Sequence, residues 1–524
     1  MLITHRYLHL PVTTGAPSRR VALAVAGGPT REFDLELATD GPGDFRPFVD
    51  LGAWLGAQLT LTVDGQPAEI THLAFGDEIE GHQTLYREAL RPQFHFTTRR
   101  GWINDPNGLC WLDGEWHLFF QHNPYGINWG NMHWGHAVSP DLLHWRELPI
   151  AVYPDAHGTC WSGSAVVDHD NTAGFGDGAM VLIYTAGGPA PCSQCLAVSP
   201  DGRQFTPYAA NPVLPNIYDS NRDPKVYWHE GSGRWVMALY VDVPKPDLEG
   251  VTQTIQFFGS PNLKDWTHLS TLPGFYECPD WFELEVGASG ERRWVVFAAN
   301  GDYLVGDFDG AVFTPCQPLA KADWGKHRYA AQTFAEVPPA DGRRIYIPWM
   351  NGGSYPGMPF NQQMGIPCEL TLRRDGDRIA LCKWPIRELA GLTAREQAWT
   401  DLELDAEGLA LAEVGGELLD IELEFEPGTA AAVELTAAGQ TIAWRAPGSL
   451  SCLGAEAPCP PEAGAVALRA VLDRASIEVF GQRGRWPLTS CFVPAGEAAT
   501  PRLRAVGGPV RVTRLAAREL RGVW

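Results

Sequence analysis

A chain of 524 residues exceeds one ordinary domain, so roughly two to four folding units are expected. A formal charge of −22 removes the basic surface that phosphate binding needs, so nucleic acid is not an expected partner. No apolar run approaches the roughly 18–20 residues of a membrane span, so no membrane partner is expected either.

The opening "MLITHRYLHLPVTTG" lacks a basic region followed by an apolar core, which predicts a cytoplasmic protein, or a secreted or periplasmic one if a leader has been removed. The 11 cysteines are odd in number and scattered, which fits reduced, buried thiols better than a disulfide framework. Cys192 and Cys195 form a single close pair with no second pair or matching His spacing, so no metal is expected there. Nothing in the sequence sets an oligomeric state.

Residues 1–88 carry "RVALAVAG", "FDLELAT" and "LTLTVDG", short strands between polar turns that predict a small β-rich domain. The stretch "GWINDPNG", Gly101 to Gly108, has the composition of a turn. It opens the first of several related segments. "NDPNGLCWLDGEWHLFFQHNP" begins at Asn104, "RDPKVYWHEGSGRWVMALYV" at Arg222 and "ECPDWFELEVGASGERRWVVFAAN" at Glu277. Each has a carboxylate, a nearby Pro, an apolar run, a Gly-containing turn, then Trp (Trp116, Trp235, Trp294) and a second run. Run, turn, run predicts a β-hairpin. Segments from Trp161 and Tyr329 fit more loosely. A second mark recurs as "SPDLLHW" at Ser139, "SPDGRQF" at Ser199, "SPNLKDW" at Ser260 and faintly "DFDGAVF" at Asp307. The spacing suits a four-stranded blade, so residues 89–388 are expected to form a five-bladed β-propeller.

"KWPIRELAGLTAREQAW" reads as a connector with a short helix. Residues 389–524 carry many short alternating strands, including "LLDIELEFEPG", "AVELTAAG" and "ALRAVLDRASIEVFG", which predict a β-sandwich. "APGSLSCLGAEAPCPPEAG" reads as a small-residue loop within it. The expected fold class is therefore all-β: a five-bladed propeller followed by a C-terminal sandwich, with an extra N-terminal β-rich domain.

In a propeller the first strand of each blade lines the channel. Asp105, Asp223 and Glu277 hold equivalent places in the repeat and are expected to converge at one mouth. Like charges brought together raise one another's pKa values, so such a cluster implies a use.

The motifs "RPQFHFTTRRGWINDPNG", "FFQHNPYGINWGNMHWGHAVSPDLLHW", "WSGSAVVD", "NTAGFG", "RDPKV", "YECPDWFEL" and "VGDFDG" together resemble glycoside hydrolase family 32, the β-fructofuranosidases, which include invertases, levanases and exo-inulinases. They occur in the family's order. The resemblance is dense over the propeller and looser over the sandwich, through "LDRASIEVF". It implies a retaining, exo-acting β-fructosidase on levan, inulin or sucrose; since none of the roles calls for a Lewis acid and no ligand spacing stands out, no metal and no cofactor are expected. By the same resemblance Asp105 is the nucleophile, Glu277 the general acid/base and Asp223 the transition-state stabiliser. Trp102, Asn104, Gln121, Trp129, Trp161, Ser162, Arg222 and Trp349 match positions that contact the fructosyl unit. Two departures stand near Trp349: Gly353 where an aromatic is usual, and Cys368 where an Arg is usual.

The chemistry asks for these groups. A retaining glycosidase needs an ionised carboxylate about 5–5.5 Å from a protonated carboxyl. A third anion accepts hydrogen bonds from sugar hydroxyls that strengthen as the ring becomes positive. Arg222 is expected to keep Asp223 ionised through charge-assisted hydrogen bonds. Pro106 is expected to hold Asp105 in extended geometry within the turn. Asp280 and Glu283 are rivals for the acid role. Tyr276 and Cys278 are expected to tune Glu277. His117, His122, His133, His136 and His144 crowd one region, but their irregular spacing predicts structural hydrogen bonds, not a metal site. Trp134 and Trp145 are read as core; Trp129 divides evenly between core and sugar platform. A fructosyltransferase on the same fold is the alternative activity, and a non-catalytic sugar-binding propeller the alternative class.

Overall fold

The computed structural model describes residues 1–218, 220–243, 252–496 and 499–524. Almost every element is a strand. Five antiparallel sheets of neighbouring strands succeed one another in chain order, each starting from an inner strand. The inner strands are Gly101–Leu112, Thr159–Asp168, Ser220–His229, Asp280–Glu285 and Tyr329–Thr333, of blades I to V. They are followed outward by hairpin partners such as Glu115–Asn123 and Arg234–Asp242. The blades are buried on both faces, which is why their second strands read as near-continuous apolar runs: Ala179–Gly187 is buried along its whole length. Trp134 and Trp145 lie in these cores.

Blade I closes against blade V. Phe360–Asn361, which follows the second strand of blade V, pairs in parallel with Gly101 and Trp102. After the last strand of blade V, Arg378–Pro385, the connector forms a 3₁₀ turn at Arg387–Leu392 and passes directly into the strand Thr393–Leu404. Two six-stranded sheets then pack face to face around a shared apolar core that includes Leu423, Phe425, Trp444 and Val479. The segment read as a small-residue loop is instead a hairpin. Ser449–Cys452 pairs with Ala455–Pro458. Leu450, Cys452, Ala455 and Ala457 point inward in alternation, and Leu453 and Gly454 take positive φ at the turn. Small side chains hid the period-2 pattern.

The N-terminal residues form a four-stranded sheet, whose central strands are Arg19–Val25 and Leu59–Val63, and a three-stranded one around Tyr7–His9. Their core of Leu8, Leu23, Phe33, Leu61 and others also takes in Tyr125, from blade I.

One buried ionic cluster joins propeller and sandwich. His95 Nδ1 lies 2.9 Å from Asp473 Oδ2, and its Nε2 lies 2.8 Å from Glu478 Oε2. All three side chains are buried. Asp473 also accepts hydrogen bonds from the backbone N–H groups of Gln93, Phe94 and His95.

Candidate active site

The stretch "GWINDPNG" is not a turn. It lies in the inner strand Gly101–Leu112. Its turn-like residues serve an irregularity inside the strand. Ile103 pairs with His122 and Pro106 with Phe120, so one extra residue is inserted opposite the partner. The same single insertion occurs between Cys160 and Gly163, between Arg222 and Lys225, and between Tyr329 and Gln332. Such bulges break the side-chain alternation and re-aim residues. The residues they displace include Asn104, Asp105, Trp161, Ser162 and Asp223. Pro106 and Pro224 fit this setting, because Pro has no N–H for the ladder and concentrates at bulges. Blade IV reaches the same end differently. Glu277 and Cys278 precede the strand Asp280–Glu285 and take positive φ, at 53° and 40°. Non-Gly residues held there are strained, and such strain gathers at functional sites.

Cys278 is the hub. Its backbone N–H donates to Asp223 Oδ2 at 3.0 Å. Its thiol Sγ lies 3.4 Å from Asp223 Oδ2 and 3.4 Å from Asp105 Oδ2. The two carboxylate oxygens are thus within twice that distance of one another, and Glu277 is the adjoining residue. Asp105 Oδ2 also accepts from Ser162 Oγ at 2.6 Å, and its Oδ1 accepts from Asn104 Nδ2 at 3.2 Å. Trp102 Nε1 in turn donates to Asn104 Oδ1 at 2.9 Å.

Burial raises the Asp105 pKa above the usual carboxylate range. The hydrogen bonds from Ser162 and Asn104 oppose that, and the Glu277 charge adds to it. Burial pushes Asp223 up to about 7, against the pull of Arg222 and with the help of Glu277 and Asp105. Three carboxyl groups beside one guanidinium carry a surplus of negative charge. That surplus favours a proton shared within the group over three separate carboxylates. Burial also lifts the Cys278 thiol well above its usual value, reinforced by the surrounding carboxylates. It stays a neutral S–H donor.

The expected partner of Arg222 is corrected. Its nearest approach to Asp223 is 3.9 Å, too long for a hydrogen bond. Its guanidinium instead donates twice to Glu277 Oε1, at 2.5 and 3.2 Å. The bulge turns Asp223 away from its neighbour and towards the Cys278 N–H. Arg222 is flanked by the rings of Tyr240 and Tyr276, 4.6 and 5.9 Å from their centroids.

Tyr329 was not singled out by the sequence reading. Its hydroxyl donates to Glu277 Oε2 at 2.5 Å. The available signal was its place at the start of the fifth repeat, where the other blades present their polar groups. Trp349 stands beside it. The Trp349 ring meets Trp102 and Tyr329 edge-on, each at 6.1 Å, and its Nε1 donates to Gln362 Oε1 at 3.1 Å. The nearby departures do not displace it. A side chain at Gly353 would meet the hydroxyl of Tyr355, and Cys368 is absorbed into the core. Gln121 Nε2 donates to the carbonyl of Cys160 at 2.8 Å. Trp129 is 59% exposed and meets Trp161 edge-on at 6.4 Å, so it is not core.

The rivals are engaged elsewhere. Asp280 is fully buried, 3.2 Å from Lys225 Nζ, and accepts from the Thr333 N–H at 2.6 Å. Glu283 pairs with Arg292 at the surface. The histidines have local partners. His117 and His136 share a hydrogen bond of 3.0 Å, His122 bonds the Trp102 carbonyl at 2.8 Å, His133 the Asn131 carbonyl, and His144 Asp141 at 2.7 Å. Burial lowers His117 to about 4 and His133 to about 3, so both are neutral imidazoles. Cys195 is buried in the blade core; Cys192, three residues earlier, lies against Gly187.

A clustered set of acids beside two tryptophan pairs, Trp102 with Trp349 and Trp129 with Trp161, on a rigid β scaffold has the character of a glycoside hydrolase. Residues 95–385 match the glycosyl hydrolases family 32 N-terminal domain, and residues 388–519 match the family's C-terminal domain. The chain belongs to glycosyl hydrolase family 32. It is 37% identical over 496 residues to a levanase of Bacillus subtilis, covering 84% of this chain and 72% of that one. It is 31% identical over 529 residues to an extracellular exo-inulinase of Aspergillus niger, covering 84% and 97%. Among solved structures, the exo-inulinase from Aspergillus awamori superposes with a TM-score of 0.75 at 28% identity, covering 84% of this chain and all of that one. A β-fructofuranosidase from Schwanniomyces occidentalis complexed with fructosyl-erythritol gives 0.75 at 27%, covering 84% and 99%.

Proposed function

We propose that this chain is a retaining, exo-acting β-fructosidase that releases terminal fructosyl units from fructans and sucrose. The observation that carries the reading is the shared contact of Cys278 with Asp105 and Asp223, beside Glu277. Asp105 Oδ2, oriented by Ser162, attacks the anomeric carbon. Glu277 gives its proton to the leaving oxygen, which takes the place of one of the donors now on that carboxyl, Tyr329 or Arg222. Water then enters with Glu277 as base and frees fructose and Asp105. Among the described residues Asp223 Oδ1 accepts no hydrogen bond, which leaves it for fructose hydroxyls. Trp102, Trp161, Trp349 and the exposed Trp129 wall the sugar, and Asn104 and Gln121 offer it polar groups.

Products sampled over time from levan, inulin, sucrose and short fructo-oligosaccharides test this reading. Fructose is expected alone and early. A ladder of oligomers speaks against the exo mode, and longer chains made from concentrated sucrose speak for transfer. None of the assigned roles calls for a Lewis acid, so prolonged treatment with a strong chelator is expected to leave the rate unchanged. A loss reversed by one divalent ion overturns that expectation. All 11 cysteines are unpaired, which supports a reducing, cytoplasmic setting.

A further inference from the structure

Residues 1–94 lie outside both family models. Yet the N-terminal unit reaches the proposed sugar site through one loop of blade I, residues 124–132, which carries Trp129. The loop is held on both sides of that residue. Before it, Tyr125 is buried and stacks on Phe33 with ring centroids 3.8 Å apart and planes 19° from parallel. Ile127 packs on the same N-terminal core. After it, Asn131 and Asp34 exchange two hydrogen bonds. Asn131 Nδ2 donates to the Asp34 carbonyl at 2.7 Å, and the Asp34 N–H donates to Asn131 Oδ1 at 2.8 Å. Asn131 holds a positive φ of 45°, a conformation Asn tolerates. A third tie faces the site: Asn361 Nδ2 donates to the Ile127 carbonyl at 2.7 Å, and Asn361 pairs with Trp102.

Trp129 itself is the outlier. It is 59% exposed, while Tyr125 and Ile127 before it and Asn131 after it are held. Within blade I, Asn123 Nδ2 bonds the Asn128 carbonyl at 2.8 Å, but Gly126 and Gly130 leave the loop more freedom where the N-terminal ties are lost. A wandering wall must be ordered each time sugar binds, and that entropy weakens affinity.

We propose that the N-terminal unit is a clamp that pre-positions Trp129 as a wall of the sugar site, with Tyr125 and Asn131 as positioning residues for substrate binding. The proposal rests on the β-fructosidase reading above. It assigns the N-terminal unit a part in recognition and none in chemistry. The clamp acts on binding before the transition state, so its loss raises KM and spares kcat.

The test is steady-state kinetics of the full-length chain on a fructo-oligosaccharide. Tyr125→Ala and Asn131→Ala are each expected to raise KM about tenfold, the equivalent of one ordering cost of about 1.4 kcal/mol, with kcat held within about twofold. Tyr125→Phe keeps the stack and is expected to restore the original KM. Trp129→Ala is expected to raise KM at least as much, and adding Tyr125→Ala to it is expected to do nothing further. A merely structural role for Tyr125 gives multiplying losses in that double variant. Unchanged KM in Asn131→Ala, or in Trp129→Ala, overturns the clamp. Asn131→Ala removes hydrogen bonds and places Ala at a positive φ, both confined to the loop, so it carries the test if Tyr125→Ala fails to fold. Absence of fructose from the unmodified enzyme overturns the functional reading; fructose with an unaltered KM in Asn131→Ala overturns the clamp alone.

Discussion

Glu277→Ala is expected to lower turnover of sucrose by roughly 10²- to 10⁴-fold, the loss typical of a missing acid–base group. A fructoside with a very good leaving group behaves differently. Its departing oxygen needs little protonation, so the first step largely survives. The fructosyl-enzyme then accumulates on Asp105, because the same residue activates water in the second step. Asp105→Ala abolishes both reactions, since no covalent intermediate forms. Rapid-quench kinetics and mass spectrometry of the intact protein read the difference. Equal losses for both variants on both substrates, with no trapped intermediate, would remove the division of labour between the two acids. Tyr329→Phe adds a smaller check. It takes away one of the two donors that hold the Glu277 carboxyl and leaves the ring against Trp349.

The second large effect concerns stability. Burial alone pushes the His95 pKa down, but the hydrogen bonds and charges of Asp473 and Glu478 outweigh it and raise it to about 9. A histidine raised in the folded state favours folding fully below its unfolded value of about 6.5, and that contribution is lost as pH rises through about 9. Over this window the cluster gives up about 3 kcal/mol, at about 1.4 kcal/mol per pH unit between the two values. Asp473 is shifted the other way, below its usual value, so its own contribution is lost only in acid. Buried thiols also weaken the fold above about pH 8.5, where they ionise only when unfolded. His95→Gln separates the terms. It is expected to be destabilised by several kcal/mol near pH 6, because two buried carboxylates lose their cation. The gap to the unmodified chain should narrow by about 3 kcal/mol between pH 6 and pH 9 in denaturant unfolding. A gap of constant size across that range contradicts a protonated His95.

How much of this was legible depended on whether the signal was local. Trp116, Trp235 and Trp294 recur after a Gly turn, and that repeat marked hairpins and blades without any structure. The acids were visible for the same reason, each beside a Pro near the start of its segment. Partners were not visible. Arg222 adjoins Asp223 in sequence but bonds Glu277, because a bulge sets the direction of each side chain and no neighbouring residue announces it. "GWINDPNG" misled in a related way. Its composition marks a break in regular backbone, and the break proved to be two inserted residues within a strand, one between Ile103 and Pro106 and one between Asn107 and Cys110. The hairpin at Ser449–Pro458 was hidden by Ala, Cys and Ser, whose inward and outward positions differ little in hydropathy. The ties that Phe33 and Asp34 make to the 124–132 loop connect residues far apart in the chain, beyond the reach of any periodicity.

The inserted residues at the inner strands set a limit on how this enzyme can be made sturdier. Each one interrupts a ladder that two regular strands would complete, so deleting it offers the sheet a continuous run of hydrogen bonds. The same deletion shifts every preceding side chain to the opposite face, because alternation along a strand has a period of two. An acid that faced the channel is then turned into a blade. Improvement of the scaffold therefore belongs to the outer strands and the sandwich, where regularity and activity do not compete. At the channel, imperfect pairing is the condition for having a site at all.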